Sequence, residues 1–141
     1  MNLLNSDHFW QFSCTLYAKP MQQQTLLELQ NQQGKNVNLC LLLLYLDSLN
    51  LVVNSQQLGV LTQVVNELDN NVMQQLRAAR SYLKVHQQAI TDYANIRKEL
   101  LSAELKLEKQ QQQMLINAVN ECELVKCTEP NNIELYLKAS F

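Results

Sequence analysis

Val37-Asn38-Leu39-Cys40-Leu41-Leu42-Leu43-Leu44-Tyr45-Leu46 carries apolar residues on every face of a helix, and Asp47, Ser48 and Asn50 follow at once. The run is far short of the ~20 apolar residues needed to cross a bilayer. A helix that is hydrophobic all round has to be enclosed by other elements, so the segment predicts the central core helix of a water-soluble domain.

The rest of the chain supplies what would enclose it. Its 141 residues suffice for one domain with a real core. It has only two Gly (Gly34, Gly59) and two Pro (Pro20, Pro130), too few turn formers for an all-β fold. Leu dominates over Val and Ile, which favours helix. The expected class is all-α: a single helical bundle of about six helices. Its buried central helix spans about 38–49 and a long antiparallel helix pair about 69–109. Residues 1–141 read as a single helical domain, with 128–141 a short C-terminal docking segment through Ile133, Tyr136 and Leu137.

Breakers and caps place the early elements. Asn5-Ser6-Asp7 offers N-cap candidates for a helix running to about Ala18. Lys19-Pro20 ends that helix, and Pro20 suits the first turn of a second. Gly34 is a left-handed stop, Asn36 or Asn38 caps the third helix, and Asn54-Ser55 caps the next. From Gly59 to Pro130 neither Gly nor Pro occurs. Within that stretch Leu61, Val65, Leu68, Val72, Leu76, Ala79 and Leu83 form one stripe, and Ala89, Tyr93, Ile96, Leu100, Ala103 and Leu107 another. The stripes fall out of register around His86-Gln87-Gln88, which predicts a turn between helices of roughly 69–85 and 88–109. Gln110-Gln111-Gln112-Gln113 interrupts the second stripe and reads as a solvated helical face.

Charge bounds the partners. The net charge is −2, with residues 77–109 at +3 (seven Lys/Arg against four Asp/Glu) between flanks of −3 and −2. So mild a patch does not favour a nucleic acid, whose phosphates each need their own Lys or Arg. No membrane partner is expected. Cys14, Cys40, Cys122 and Cys127 have no metal-ligand spacing, and no secretory signal leads the chain, so a cytoplasmic protein with reduced thiols is expected.

No catalytic, cofactor or metal residue stands out, so neither enzyme activity nor a cofactor is expected. His8 and His86 lack a ligand one helical turn away. Two isolated glycines build no phosphate loop. The pairs Glu104/Glu108 and Glu121/Glu123 read as solvated helical faces. Phe9-Trp10-x-Phe12 reads as a core anchor. The strongest constellation is Arg77, Arg80 and Lys84, which fall within about 60° of one another on a helix. They offer a site for an anion or an acidic partner, or else ion pairs with Glu99 or Glu104 of the facing helix.

Phe9-Trp10-Gln11-Phe12-Ser13, Leu16-Tyr17-Ala18, Val37-Asn38-Leu39 and Leu76-Arg77-x-x-Arg80-x-x-Leu83-Lys84, in that order, resemble a family of small bacterial cytoplasmic proteins of unknown function. The resemblance spans most of residues 8–108 and implies an all-helical protein with no assigned activity. The Asn/Gln-heavy surface departs from that family, which is richer in small residues and arginine. The leading expectation is a non-enzymatic interaction or adaptor protein with an unknown partner protein. A homodimer paired through Tyr93, Ile96, Leu100 and Leu107 is its nearest form. The alternative is a bundle holding a small apolar or anionic ligand inside, with the third helix as wall and Arg77 and Arg80 at the mouth.

Overall fold

In the computed structural model, which describes residues 3–139, the chain is helical almost throughout. The expected domain ends at residues 1–2 and 140–141 lie outside the described residues. The helices are α1 (Ser6–Tyr17), α2 (Pro20–Gln33), α3 (Val37–Ser48), α4 (Ser55–Leu68), α5 (Gln74–Val85), α6 (Tyr93–Asn120) and α7 (Asn132–Lys138). A π-helical stretch, Asp69–Met73, joins α4 to α5 without a break, so the described residues fold as six continuous helical rods.

Local chemistry sets the first boundaries. Asn5 Oδ1 accepts from the amides of Asp7 (2.8 Å) and His8 (3.1 Å) and starts α1. Pro20 opens α2, where its missing N–H costs nothing. Gly34, at φ +65°, closes α2 in the left-handed region that other residues enter only at a cost. Asn36 caps α3 by accepting from Leu39 N at 2.8 Å. Asn54 and Gln57 form a reciprocal capping box that starts α4 (2.8 and 3.0 Å).

α3 is the centre. Seven of its twelve residues are buried, as an apolar circumference requires. Phe9 of α1 is fully buried and stacks on Tyr45 at 5.4 Å, so Phe9 is the core anchor of the aromatic cluster, while Phe12, half-buried, lies against Tyr45 and Trp10 is half-buried. Leu26 and Leu29 from α2, Leu58, Leu61 and Val65 from α4, and Leu115, Ile116 and Val119 from α6 complete the core. Each side chain removed from water stabilises the fold by roughly 25 cal/mol per Å² of apolar area.

The long pair differs from the expected 69–85 and 88–109. Its first arm begins at Ser55 and reaches Val85 through the π stretch. Its second begins at Tyr93, because Gln87–Ala89 winds as a short 3-10 turn and Ile90 is extended. That arm then runs straight through the glutamine tract to Asn120. The arms are antiparallel: Asp69 bonds Gln111, while Arg80, further along the first arm, bonds Glu104, further back along the second. No residue of α5 is buried, so α5 and the first half of α6 stand out from the core as a helical hairpin.

A two-stranded antiparallel ribbon pairs β1 (Leu51–Val52) with β2 (Val125–Lys126), a feature the helical reading did not contain. Asn132 fastens the last segment to it. Its side chain donates to Leu51 O and Asp47 Oδ1, both at 2.8 Å, and accepts from Val53 N at 2.9 Å. Tyr136 of α7 is buried, while Ile133 and Leu137 are half-buried against the core.

Candidate functional site

Between α1, α2 and the start of α3 on one side and the hairpin on the other lies a cleft of about 760 Å³. Its floor is amide-rich. Gln111 Oε1 accepts from Asn38 Nδ2 (2.9 Å) and Asn36 Nδ2 (3.3 Å), and Gln111 Nε2 donates to Val65 O (3.1 Å) and Asp69 Oδ1 (3.3 Å). Asn36 Nδ2 also donates to Asp69 Oδ2 at 2.7 Å. Gln112 Nε2 donates to Ser13 Oγ (3.0 Å) and Asn38 Oδ1 (3.1 Å). Gln112 Oε1 is the one buried side-chain N or O among the described residues with no hydrogen-bond partner. A buried acceptor left without a donor costs about 1–3 kcal/mol.

This corrects the reading of the glutamine tract. Gln110 and Gln113 are exposed, but Gln111 and Gln112 are only 1% and 2% exposed. The tract is a helical segment with one solvated and one buried edge. The π stretch serves the same network by presenting Asp69 to Asn36 and Gln111, a placement in keeping with π-bulges at functional sites.

The cleft's charges come from α5 and α6. Arg80 donates from Nε to Glu104 Oε2 at 2.8 Å and from Nη2 to Oε1 at 3.1 Å, a bidentate pair. Glu104 is buried, which corrects its reading as part of a solvated face; the ion-pair alternative describes Arg80. Glu108 is half-buried and lines the cleft. Burial pushes its carboxyl up from the ordinary range, Arg77 and Arg80 work against that, and Glu104 adds to it. Tyr17 is raised likewise, first by burial and then by the nearby Glu108 carboxylate.

Arg77 and Arg80 therefore share the cleft, with Ser81 beside them, whereas Lys84 is exposed and outside it. Among the described residues Arg77 forms no contact ion pair, and the cleft carboxyl that its charge acts on is Glu108. Apolar contributions come from Trp10, Leu27, Val37, Leu41 and Leu105. Lys109 Nζ caps the Trp10 ring at 5.2 Å. Seven carboxamides line the space: Gln23, Gln30 and Asn31 from α2, Asn36 and Asn38 at the start of α3, and Gln111 and Gln112 from α6. Single residues such as Gln23 or Asn31 carry no sequence signal; only the packing of α2 opposite α6 assembles them.

The helix-pairing residues lie elsewhere. Tyr93, Ile96, Leu100 and Leu107 are each half-buried, the exposure expected of a two-helix ribbon with no third layer. Tyr82, Val85 and Leu105 of the same hairpin are 62%, 79% and 52% exposed.

Among the described residues no group of His, Cys, Asp and Glu is arranged to hold a metal ion, and no helix is long and apolar enough to cross a membrane. Cys122 and Cys127 do not share a helix, since α6 ends at Asn120. A family model described as a protein of unknown function, DUF2390, matches residues 8–115, close to the 8–108 over which the sequence resemblance runs. No curated protein and no solved structure matches the chain.

Proposed function

The chain belongs to DUF2390, a family of proteins of unknown function, and from that premise we propose that it is a non-enzymatic interaction protein whose docking seat is the cleft between α1–α2 and the hairpin. The observation that carries this is the lining. Asn36, Asn38, Gln111 and Gln112 are engaged with one another in its floor, where Gln112 Oε1 still lacks a donor, while the α2 carboxamides Gln30 and Asn31 can donate and accept, which suits the backbone of an extended polypeptide segment, and apolar walls flank them. Carboxamides recognise without taking up or releasing protons, which supports binding over catalysis. The volume of about 760 Å³ lies in the range of roughly 300–1,000 Å³ that receives ligands. Four unpaired cysteines suit a reducing cytoplasmic setting, where we place the protein.

A second reading puts a small anionic molecule in the same cleft, and Arg77, which has no contact ion pair among the described residues, favours it. Native mass spectrometry of protein purified gently from its own host separates the two by the mass that accompanies the chain. The expected result is a bound polypeptide, lost in Ser81→Trp, which fills the cleft from an exposed position. A small-molecule mass lost in the same variant would select the second reading. The bare chain, or a partner retained by Ser81→Trp, would sink the cleft as the seat.

A further inference from the structure

The 28 residues of α6 span about 42 Å, and the two ends of that rod differ in charge. At its start lies the tip of the hairpin, residues 82–98, where Lys84, Arg97 and Lys98 stand against Asp92 for a net +2. At its end lies the segment 121–129, which holds β2. There Glu121, Glu123 and Glu129 stand against Lys126 for a net −2. All eight side chains are exposed, and among the described residues none of them forms an ion pair.

Each end also exposes apolar side chains. Tyr82 and Val85 of α5, three residues apart and so on one side of the helix, are 62% and 79% exposed. Val125 of β2 is 65% exposed, and β2 pairs with β1 alone among the described residues, so its other edge has no strand beside it. Exposed charges by themselves contribute little, so a docking surface needs apolar burial as well. Both ends offer the two together.

Equal and opposite charges at the two ends of one rod are complementary when two copies lie antiparallel. A two-fold axis across α6 sets each tip on the other copy's β2 segment and satisfies both ends at once. A parallel pair would set +2 on +2 and −2 on −2. We propose that the chain forms an antiparallel two-fold dimer, the hairpin tip of each copy seated on the β2 segment of the other. Pairing through Tyr93, Ile96, Leu100 and Leu107 is a different arrangement, since those residues are already half-buried within one chain. None of the charged or apolar residues of the two ends lines the cleft, so the dimer and the docking seat stand or fall separately.

Sedimentation velocity of the full chain from about 1 to about 100 µM tests this. The expected species has twice the mass of the chain. Its dissociation constant is expected to rise about tenfold between about 0.05 and about 0.5 M salt, as the charges are screened. Lys84→Glu with Lys98→Glu reverses the tip, and Glu121→Lys with Glu123→Lys reverses the β2 segment. Each double variant is expected to be monomeric. Mixed in equal amounts, the two are expected to form a heterodimer, because one is then negative at both ends and the other positive at both. Unfolded variants would not regain assembly on mixing.

A parent that stays monomeric at about 100 µM overturns the proposal. So does a dimer indifferent to salt and to both reversals, and so do reversed variants that fail to combine. Growth into longer chains with concentration would place tip on β2 segment head to tail, and would overturn the two-fold closure.

Discussion

Arg80 grips Glu104 across the hairpin with two nitrogens, Nε 2.8 Å from Oε2 and Nη2 3.1 Å from Oε1. The pair ties α5, which buries no residue of its own, to α6, which runs on into the core. It also pairs off one cation and one anion of the cleft's lining, which leaves Arg77 and Glu108 as the other charged lining residues.

Breaking that pair strands a buried carboxylate. Arg80→Met is expected to destabilise the fold by about 1–3 kcal/mol, less than for a fully dry pair because one edge of Arg80 stays wet. Adding Glu104→Leu should recover most of the loss. Urea unfolding of the single and double variants tests this, and a double variant no more stable than the single would refute it.

The glutamine tract gives a sharper contrast. Gln111→Leu removes the acceptor shared by Asn36 and Asn38 and the donor to Val65 O, and should cost about 2–3 kcal/mol. Gln110→Leu, one residue earlier on the exposed edge, should stay within about 0.5 kcal/mol of the parent. Equal midpoints in denaturant for the two variants would contradict the buried network.

Glu108 makes stability depend on pH. Burial raises its carboxyl above the ordinary 4.5, so folding favours the protonated form. Its contribution is fully present below about pH 4.5 and is lost as pH rises through the raised value. Glu108→Gln should therefore melt higher than the parent at pH 7, with the difference shrinking toward pH 4. A constant difference across that interval would show that Glu108 is not the group responsible.

The cysteines should divide under native alkylation. Cys14 is exposed, while burial among apolar neighbours pushes the Cys40 thiol up to about 12. Iodoacetamide at pH 8 is expected to modify Cys14 within minutes and Cys40 only on unfolding, as peptide mass mapping would read. Native labelling of Cys40 at a rate near that of Cys14 would mean that α3 is not enclosed.

Much of the frame was legible along the chain because its causes are local. An apolar circumference at Val37–Leu46 demanded enclosure, and Asn5, Pro20, Gly34, Asn36 and Asn54 punctuate helices through their own side chains or backbone preferences. The π stretch left no local trace, since steps of four and three, two fours in a row included, are what 3.6 residues per turn give. The site was only half legible: periodicity put Arg77 and Arg80 on one face, but nothing local named their surroundings.

By itself, then, the sequence determined an all-helical chain built around α3, with its early helix boundaries and its turn near His86. Only the tertiary structure decided that Gln111 and Gln112 are interior, that Glu104 is buried, that α6 reaches Asn120, and that α2 faces the hairpin across a cleft. The physical reason is the range of the interactions. Apolar burial announces itself in the spacing of neighbours, whereas a buried amide is stable only if its partners arrive from elsewhere. For Gln111 and Gln112 those partners are Val65, Asp69, Asn38 and Ser13, between 42 and 99 residues away along the chain.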